Sequence, residues 1–279
     1  MLLPPAGLDG SRETSYTSPM QGSAKIPRLQ ETRGIQGVAA VLAARGWAEA
    51  SGGNMSLRLD ADPGRADPVP GPERIQESVV DMTDLIGDRF LVTASGSRMR
   101  QLAGDPCASL CLVQVLDRRR LWLIDGAGPL TSEWPTHAGL HSMFKGSRSL
   151  ERAVLHCHPL HLIALSHVFA SEMEMNDRLF RMHHETRLFI PERLGLIPYS
   201  VTGSIDLARA SVEKLKKHRL ALWDKHGVIA SGSTMDQALD RVEMAEKAAA
   251  LYLLLRSSGL EPEGLSDEQI QATLSASKK

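Results

Sequence analysis

The sequence is poor in aromatic residues, at 4% Phe, Trp and Tyr, which leaves little surface for stacking exposed bases. Neither sign of charge dominates: 32 Lys and Arg against 33 Asp and Glu give a formal net charge of -1. A near-neutral chain lacks the broad field that holds nucleic acid or an anionic lipid surface, so neither partner is expected. Cysteine is sparse and odd in number, at Cys107, Cys111 and Cys157. That count gives no disulfide framework and favours a reducing, cytoplasmic setting. The longest apolar run, around Ala248 to Leu255, falls well short of the roughly 20 residues that span a bilayer. Internal repeats and coiled-coil heptads are absent as well.

What is present is a chain of 279 residues that is 42% hydrophobic, enough for one sizeable core. Met1 to about Pro27 is rich in Pro, Gly, Ser and Thr and lacks the basic start and apolar stretch of a secretory signal. It reads as a disordered leader over residues 1–27, ahead of one folded domain over 28–279. Apolar spacing predicts an amphipathic helix from Leu29 to Trp47, ending at Gly46, and a half-buried strand at Met55 to Leu59. Residues 60–72 hold four prolines and two glycines and read as a surface loop. Strands are expected at Phe90–Thr93, Leu110–Leu116, Leu121–Ile124, Ala153–His156, Leu220–Trp223 and Gly227–Ala230. Helices are expected at about Pro135–Phe144 (with Thr131 or Ser132 as N-cap), His158–Phe169, Ser204–His218 and Met235–Leu255. A further short amphipathic helix is expected within Glu261–Lys279, covering a neighbouring subunit. The interleaving of strands and helices argues for a single α/β domain.

Ten histidines are present and none precedes His137. The sharpest cluster is His156-Cys157-His158. If the strand continues through His158, both imidazoles share one face, about 7 Å apart at the backbone, and can converge on one ion. His226, beside Gly227 in a short link between strands, is a candidate third nitrogen, and a catalytic zinc keeps three protein ligands and an open position. A pair of polar residues at a strand end and a hydrogen-bonded core histidine account for the same pattern. Glu133, in Thr131-Ser132-Glu133 before a helix, can serve as a base beside an anion site or as an ordinary acidic first turn. The turns Ser51-Gly52-Gly53-Asn54 and Thr93-Ala94-Ser95-Gly96-Ser97 offer backbone N–H donors to an anion without being a P-loop. Lys214, Lys216 and Lys217 look like a solvated helix face, so no lysine presents itself for Schiff-base chemistry.

The order Gly52-Gly53-Asn54, Thr93-Ala94-Ser95-Gly96, Thr131-Ser132-Glu133, His156-Cys157-His158, His226-Gly227 resembles the class II aldolase/adducin family. Arg45-Gly46-Trp47, Leu162-Ile163-Ala164-Leu165, Gly195-Leu196-Ile197-Pro198, Leu222-Trp223 and Ala245-Glu246-Lys247 extend the likeness over roughly residues 30 to 258. The resemblance implies an α/β fold, a three-layer domain whose central, largely antiparallel sheet is flanked by helices, and a homotetramer with active sites near subunit interfaces. It implies His156, His158 and His226 as ligands of one Zn2+ per subunit and Glu133 as the catalytic acid–base, with Glu185 as a second acid near the metal. It implies Asn54, Ser95, Gly96, Thr131 and Ser132 as contacts of a substrate phosphate. The expected reaction is reversible cleavage of a ketose 1-phosphate, foremost L-rhamnulose 1-phosphate, to dihydroxyacetone phosphate and L-lactaldehyde. A dehydratase or an aldolase for another ketose phosphate shares the same residues. The non-enzymatic adducin branch is expected to lose the metal histidines. Two positions depart from the matching branch, Ser51 in place of Asn and Ser97 in place of Lys. The leader and the His183-His184 pair have no counterpart there.

Overall fold

Short alternating runs build a single nine-stranded sheet among the described residues, which are 26, 30–60, 71–126 and 128–276 of a computed structural model. The expected leader, apart from Ile26, and most of the expected loop at 60–72 lie outside them. The strands are β1 (Asn54–Arg58), β2 (Ile75–Glu77), β3 (Arg89–Thr93), β4 (Leu110–Val115), β5 (Arg120–Gly126), β6 (Ala153–Cys157), β7 (Leu194–Ile197), β8 (Leu220–Trp223) and β9 (Gly227–Gly232). Their order is β2-β5-β4-β3-β1-β6-β9-β8-β7. Every pairing is antiparallel except β7 with β8. The largely antiparallel sheet between helical layers is therefore as expected.

The helices are α1 (Gln30–Arg45), α2 (Met99–Leu102), α3 (Trp134–Gly146), α4 (Leu160–Ser166), α5 (Glu172–Leu179), α6 (Thr186–Phe189), α7 (Ile205–Leu215), α8 (Met235–Ser257) and α9 (Asp267–Ala276). Period-two alternation sorts the strand side chains between the two faces. Ala153, Leu155 and Cys157 of β6 join Met55, Leu57, Leu222 and Val228 in a core with α1, α4, α5 and α8. Val154 points the other way, packing with Ala221, Trp223 and Ile229 against α3 and α7. His156 has the parity of Val154, so the strand that buries apolar groups on one face sends its last imidazole to the other.

Local signals set several helix starts. Ser204 accepts from the Leu207 N–H and Thr234 from the Gln237 N–H, each cap typically worth about 1 kcal/mol. The chain leaves α1 through Gly46 at φ +66, with the Trp47 N–H bonded to the Leu42 carbonyl at 2.9 Å. Two starts differ from expectation. The N-cap of α3 is Glu133, with no side-chain cap bond, while the Thr131 hydroxyl accepts from the Glu133 N–H at 3.3 Å. Helix α4 begins at Leu160 with Pro159 as N-cap, and the proline ring disfavours the helical conformation for the residue before it. His158 therefore stays on extended chain, its N–H bonded to the Trp47 carbonyl at 2.8 Å. Lys214 is not simply solvated, because it pairs with Glu172 at 2.6 Å.

Candidate metal centre

Three imidazoles from two parts of the sheet meet at one end of β6. His156 is its penultimate residue, His158 follows it, and His226 sits in the three-residue turn between β8 and β9. Antiparallel pairing of β6 with β9 sets Cys157 opposite Val228 and so brings that turn alongside. One nitrogen from each ring lies within 4.8 Å of the others. The turn is held by Lys225 at φ +57, whose N–H bonds to the Ser166 hydroxyl at 2.8 Å. Trp223 forms the floor: its indole stacks on His226 at 5.0 Å and lies 4.5 Å from His156. The indole N–H is fixed by Ser211 at 2.9 Å.

The glycines predicted to form turns act here by making room. A Cβ on Gly52 would sit 2.7 Å from His158 Cε1, and one on Gly227 would sit 2.5 Å from the Cys157 carbonyl and 2.8 Å from His158 Cδ2. Gly53 adopts φ +74, and a Cβ there would sit 3.0 Å from the His156 carbonyl.

The donor set fits a divalent cation. His156 Nδ1 donates to the Val228 carbonyl at 2.9 Å, and His158 Nδ1 faces the Glu49 carboxylate at 3.3 Å. With the Nδ1 hydrogens so placed, neutral rings carry lone pairs on Nε2. Those two Nε2 atoms face each other at 3.1 Å, a repulsive contact that a cation between them removes. Tetrahedral zinc, with Zn–N bonds of about 2.0–2.1 Å, spaces its nitrogens roughly 3.4 Å apart. His226 Nδ1 is buried with no partner among the described residues. Burial, then the charges of its two histidine neighbours, pushes His156 well below the usual imidazole range. Burial also lowers His226, against the pull of Glu133. Both effects keep the rings neutral and ligating.

Glu133 lies beside the rings. Its Oε2 is 3.6 Å from His156 Nε2 and its Oε1 is 3.8 Å from His226 Nε2, with the side chain 5% exposed. Asn54 donates from Nδ2 to Glu133 Oε2 at 2.9 Å, and its amide oxygen accepts from His137 at 2.6 Å. The phosphate candidate Asn54 is thus buried and tied to the carboxylate. The other candidates share one rim. Ala94 bridges Leu130, the Ser95 N–H bonds to the Pro129 carbonyl at 2.8 Å, and the Thr131 N–H bonds to the Thr93 carbonyl at 3.0 Å. Ser95, Gly96 and Ser132 are exposed there and Thr131 is buried. Ser97 turns inward to the Ser109 carbonyl. Glu185 stands apart as the N-cap of α6, a helix packed on α8. His137 and His141 were missed, although Glu133, His137 and His141 recur every fourth residue, the spacing of one helix face.

A sequence profile described as Class II Aldolase and Adducin N-terminal domain matches residues 33–253. Rhamnulose-1-phosphate aldolase of Bacteroides thetaiotaomicron is 32% identical over 250 residues, covering 87% of this chain and 92% of that protein. Rhamnulose-1-phosphate aldolase of Pectobacterium atrosepticum is 33% identical, covering 82% and 86%. The crystal structure of a sugar-phosphate aldolase from Thermotoga maritima is 36% identical with a TM-score of 0.75, covering 84% of this chain and 98% of that one. L-fuculose-1-phosphate aldolase from Thermus thermophilus, 22% identical with a TM-score of 0.55 over 82% and 96%, shares the fold. With the ordered motifs folded into one cluster and this match over most of its length, the chain belongs to the class II aldolase/adducin family.

Proposed function

We propose that the protein is a metal-dependent aldolase that reversibly cleaves a ketose 1-phosphate, with L-rhamnulose 1-phosphate as the foremost substrate and dihydroxyacetone phosphate and L-lactaldehyde as products. The observation that carries this reading is a buried carboxylate set against three converging imidazoles. His156, His158 and His226 would hold one Zn2+ per subunit. Bound there, the ion would act as a Lewis acid toward the negative charge that develops on the substrate oxygens as the carbon–carbon bond breaks.

The remaining chemistry belongs to side chains. Glu133 delivers a proton to the carbon released in cleavage and removes it in condensation, a role that typically contributes about 10²- to 10⁴-fold. Ser95, Gly96, Thr131 and Ser132, on adjoining turns, bind the phosphate and set the scissile bond in register, while Asn54 holds the carboxylate. Glu185 packs with α6, outside the cluster of its own chain, so a role for it at the metal requires assembly into the homotetramer that this reading carries. The free thiols of Cys107, Cys111 and Cys157 support a cytoplasmic setting. No helix among the described residues is long and apolar enough to cross a membrane.

Ser51, exposed beside the Gly52-Gly53-Asn54 turn, bears on which sugar is accepted rather than on the reaction class, whereas Ser97 is turned inward to the Ser109 carbonyl. A retro-aldol assay across several ketose 1-phosphates, reading dihydroxyacetone phosphate, tests the proposal. Turnover is expected with at least one of them, highest with L-rhamnulose 1-phosphate, and abolished by a chelator. Dehydration products, or metal binding without any turnover, would overturn it. Glu133→Gln is expected to keep the metal and lose about 10²- to 10⁴-fold in kcat.

A further inference from the structure

Behind Glu133 runs a line of buried polar groups that the aldolase reading does not use. Asn54 and Ser56 alternate onto one face of β1, while Glu133, His137 and His141 follow a four-residue period along the start of α3. Two strand residues advance about 6.7 Å and four helical residues about 6 Å, so the two rows interleave. The contacts alternate between them: Glu133 to Asn54 at 2.9 Å, Asn54 to His137 at 2.6 Å, His137 to Ser56 at 2.7 Å and Ser56 to His141 at 2.7 Å. Asn54 is 8% exposed, Glu133 4%, and Ser56, His137 and His141 are fully enclosed.

The chemistry of the groups gives the line a direction. An ionised carboxylate only accepts, so Asn54 turns its NH2 toward Glu133 and its oxygen toward His137. His137 must then donate from Nε2. Burial keeps that ring neutral, leaving a lone pair on Nδ1 to which Ser56 donates its hydroxyl hydrogen. The Ser56 oxygen in turn accepts from His141 Nε2–H. His141 Nδ1 closes the line as an acceptor with no partner among the described residues. With the Asn54 NH2 on Glu133 and both rings neutral, only one arrangement of hydrogens satisfies every contact, both rings being in the Nε2–H form. An amide stands in the path, so the line conveys orientation and not a proton.

We infer that His137, backed by Ser56 and His141, is a positioning residue for Glu133: it locks the Asn54 amide so that Glu133 Oε2 is tied and Oε1 stays open toward the metal site. Without the His137 donor, the Asn54 oxygen loses its partner, the amide is held only at its carboxylate end, and the carboxyl group loses part of its fixed aim. This inference rests on Glu133 as the acid–base of the proposed reaction.

The test pairs kinetics with hydrogen positions, on zinc-loaded full-length protein. His137→Leu is expected to lower kcat by about 10- to 100-fold, the scale of a small misplacement of a reacting group, while KM and zinc content stay within about twofold of wild type. His137→Gln, which restores an N–H near the Nε2 position, is expected to recover most of the loss. A neutron crystal structure of the wild type in heavy water is expected to show deuterium on Nε2 of both rings and none on Nδ1. Unchanged kcat in His137→Leu, zinc lost in step with kcat in both variants, or deuterium on His137 Nδ1 would each overturn the inference. If the wild-type protein has no aldolase turnover, the aldolase reading fails, and the neutron structure still decides whether the line has the stated direction.

Discussion

A methyl group at position 227 has no free space: it would sit 2.5 Å from the Cys157 carbonyl and 3.1 Å from His156 Cε1. The nearest atom is backbone, so a rotamer change cannot relieve the clash, and the turn carrying His226 must shift. Gly227→Ala should therefore weaken zinc binding by about 10- to 100-fold, the usual cost of disturbing groups that orient metal ligands, as read by chelator competition. A second residue-scale prediction concerns acid. Burial depresses His137 to about 4, against an ordinary imidazole value of 6.5. Between those values the unfolded chain binds the extra proton and the folded chain does not. The contribution is therefore complete above about pH 6.5 and is lost as pH falls toward 4, amounting to about 3 kcal/mol for this group. Urea midpoints from pH 7 to pH 4 should fall through that window, and less steeply in His137→Gln, which has no titrating ring. The motif residues were legible because turn glycines, strand-end histidines and an acid before a helix keep their order along the chain. His137 and His141 were not, because what makes them functional candidates is a strand row 81 and 85 residues away.

Among the elements, α8 was legible from its apolar period alone, and the structure adds what it does for the segment that follows β6. Glu246, buried on α8, accepts from the N–H groups of His161 and Leu162 at 3.0 and 2.9 Å and from His161 Nδ1 at 2.7 Å. It thus supplies the cap that Pro159 cannot, for the helix that starts two residues after His158. Glu246→Ala leaves those donors without partners and should cost roughly 2–4 kcal/mol of stability, measured by denaturant unfolding. Zinc affinity should fall with it as the start of α4 frays. Helix α5 and strand β7 were not read from the sequence. Leu194–Ile197 carries a glycine at its second position, which weakens its strand pattern, and it becomes a strand by parallel pairing with β8. Strand β2, three residues long, is likewise defined by its partner β5. Helix α9 was expected and is present, yet none of its side chains is buried.

For the whole molecule, the proposed metal ligands come from the end of β6 and from a turn nearly 70 residues later, and Glu133 comes from a third segment. An unfolded chain cannot gather them, so a cation that binds only the folded form stabilises it. At a free concentration 100 times the Kd, the gain is about 2.7 kcal/mol, or about 5 °C in Tm for a chain of this size. Scanning calorimetry with and without chelator should show that difference in wild type and little of it in His156→Ala. Anomalous diffraction at the zinc edge from crystals of the zinc-loaded protein tests the three-histidine site most directly. One strong peak per subunit is expected, about 2.0–2.1 Å from a nitrogen of each of His156, His158 and His226, with Glu133 beside it. No peak there, or the principal peak at His183 and His184, would contradict it.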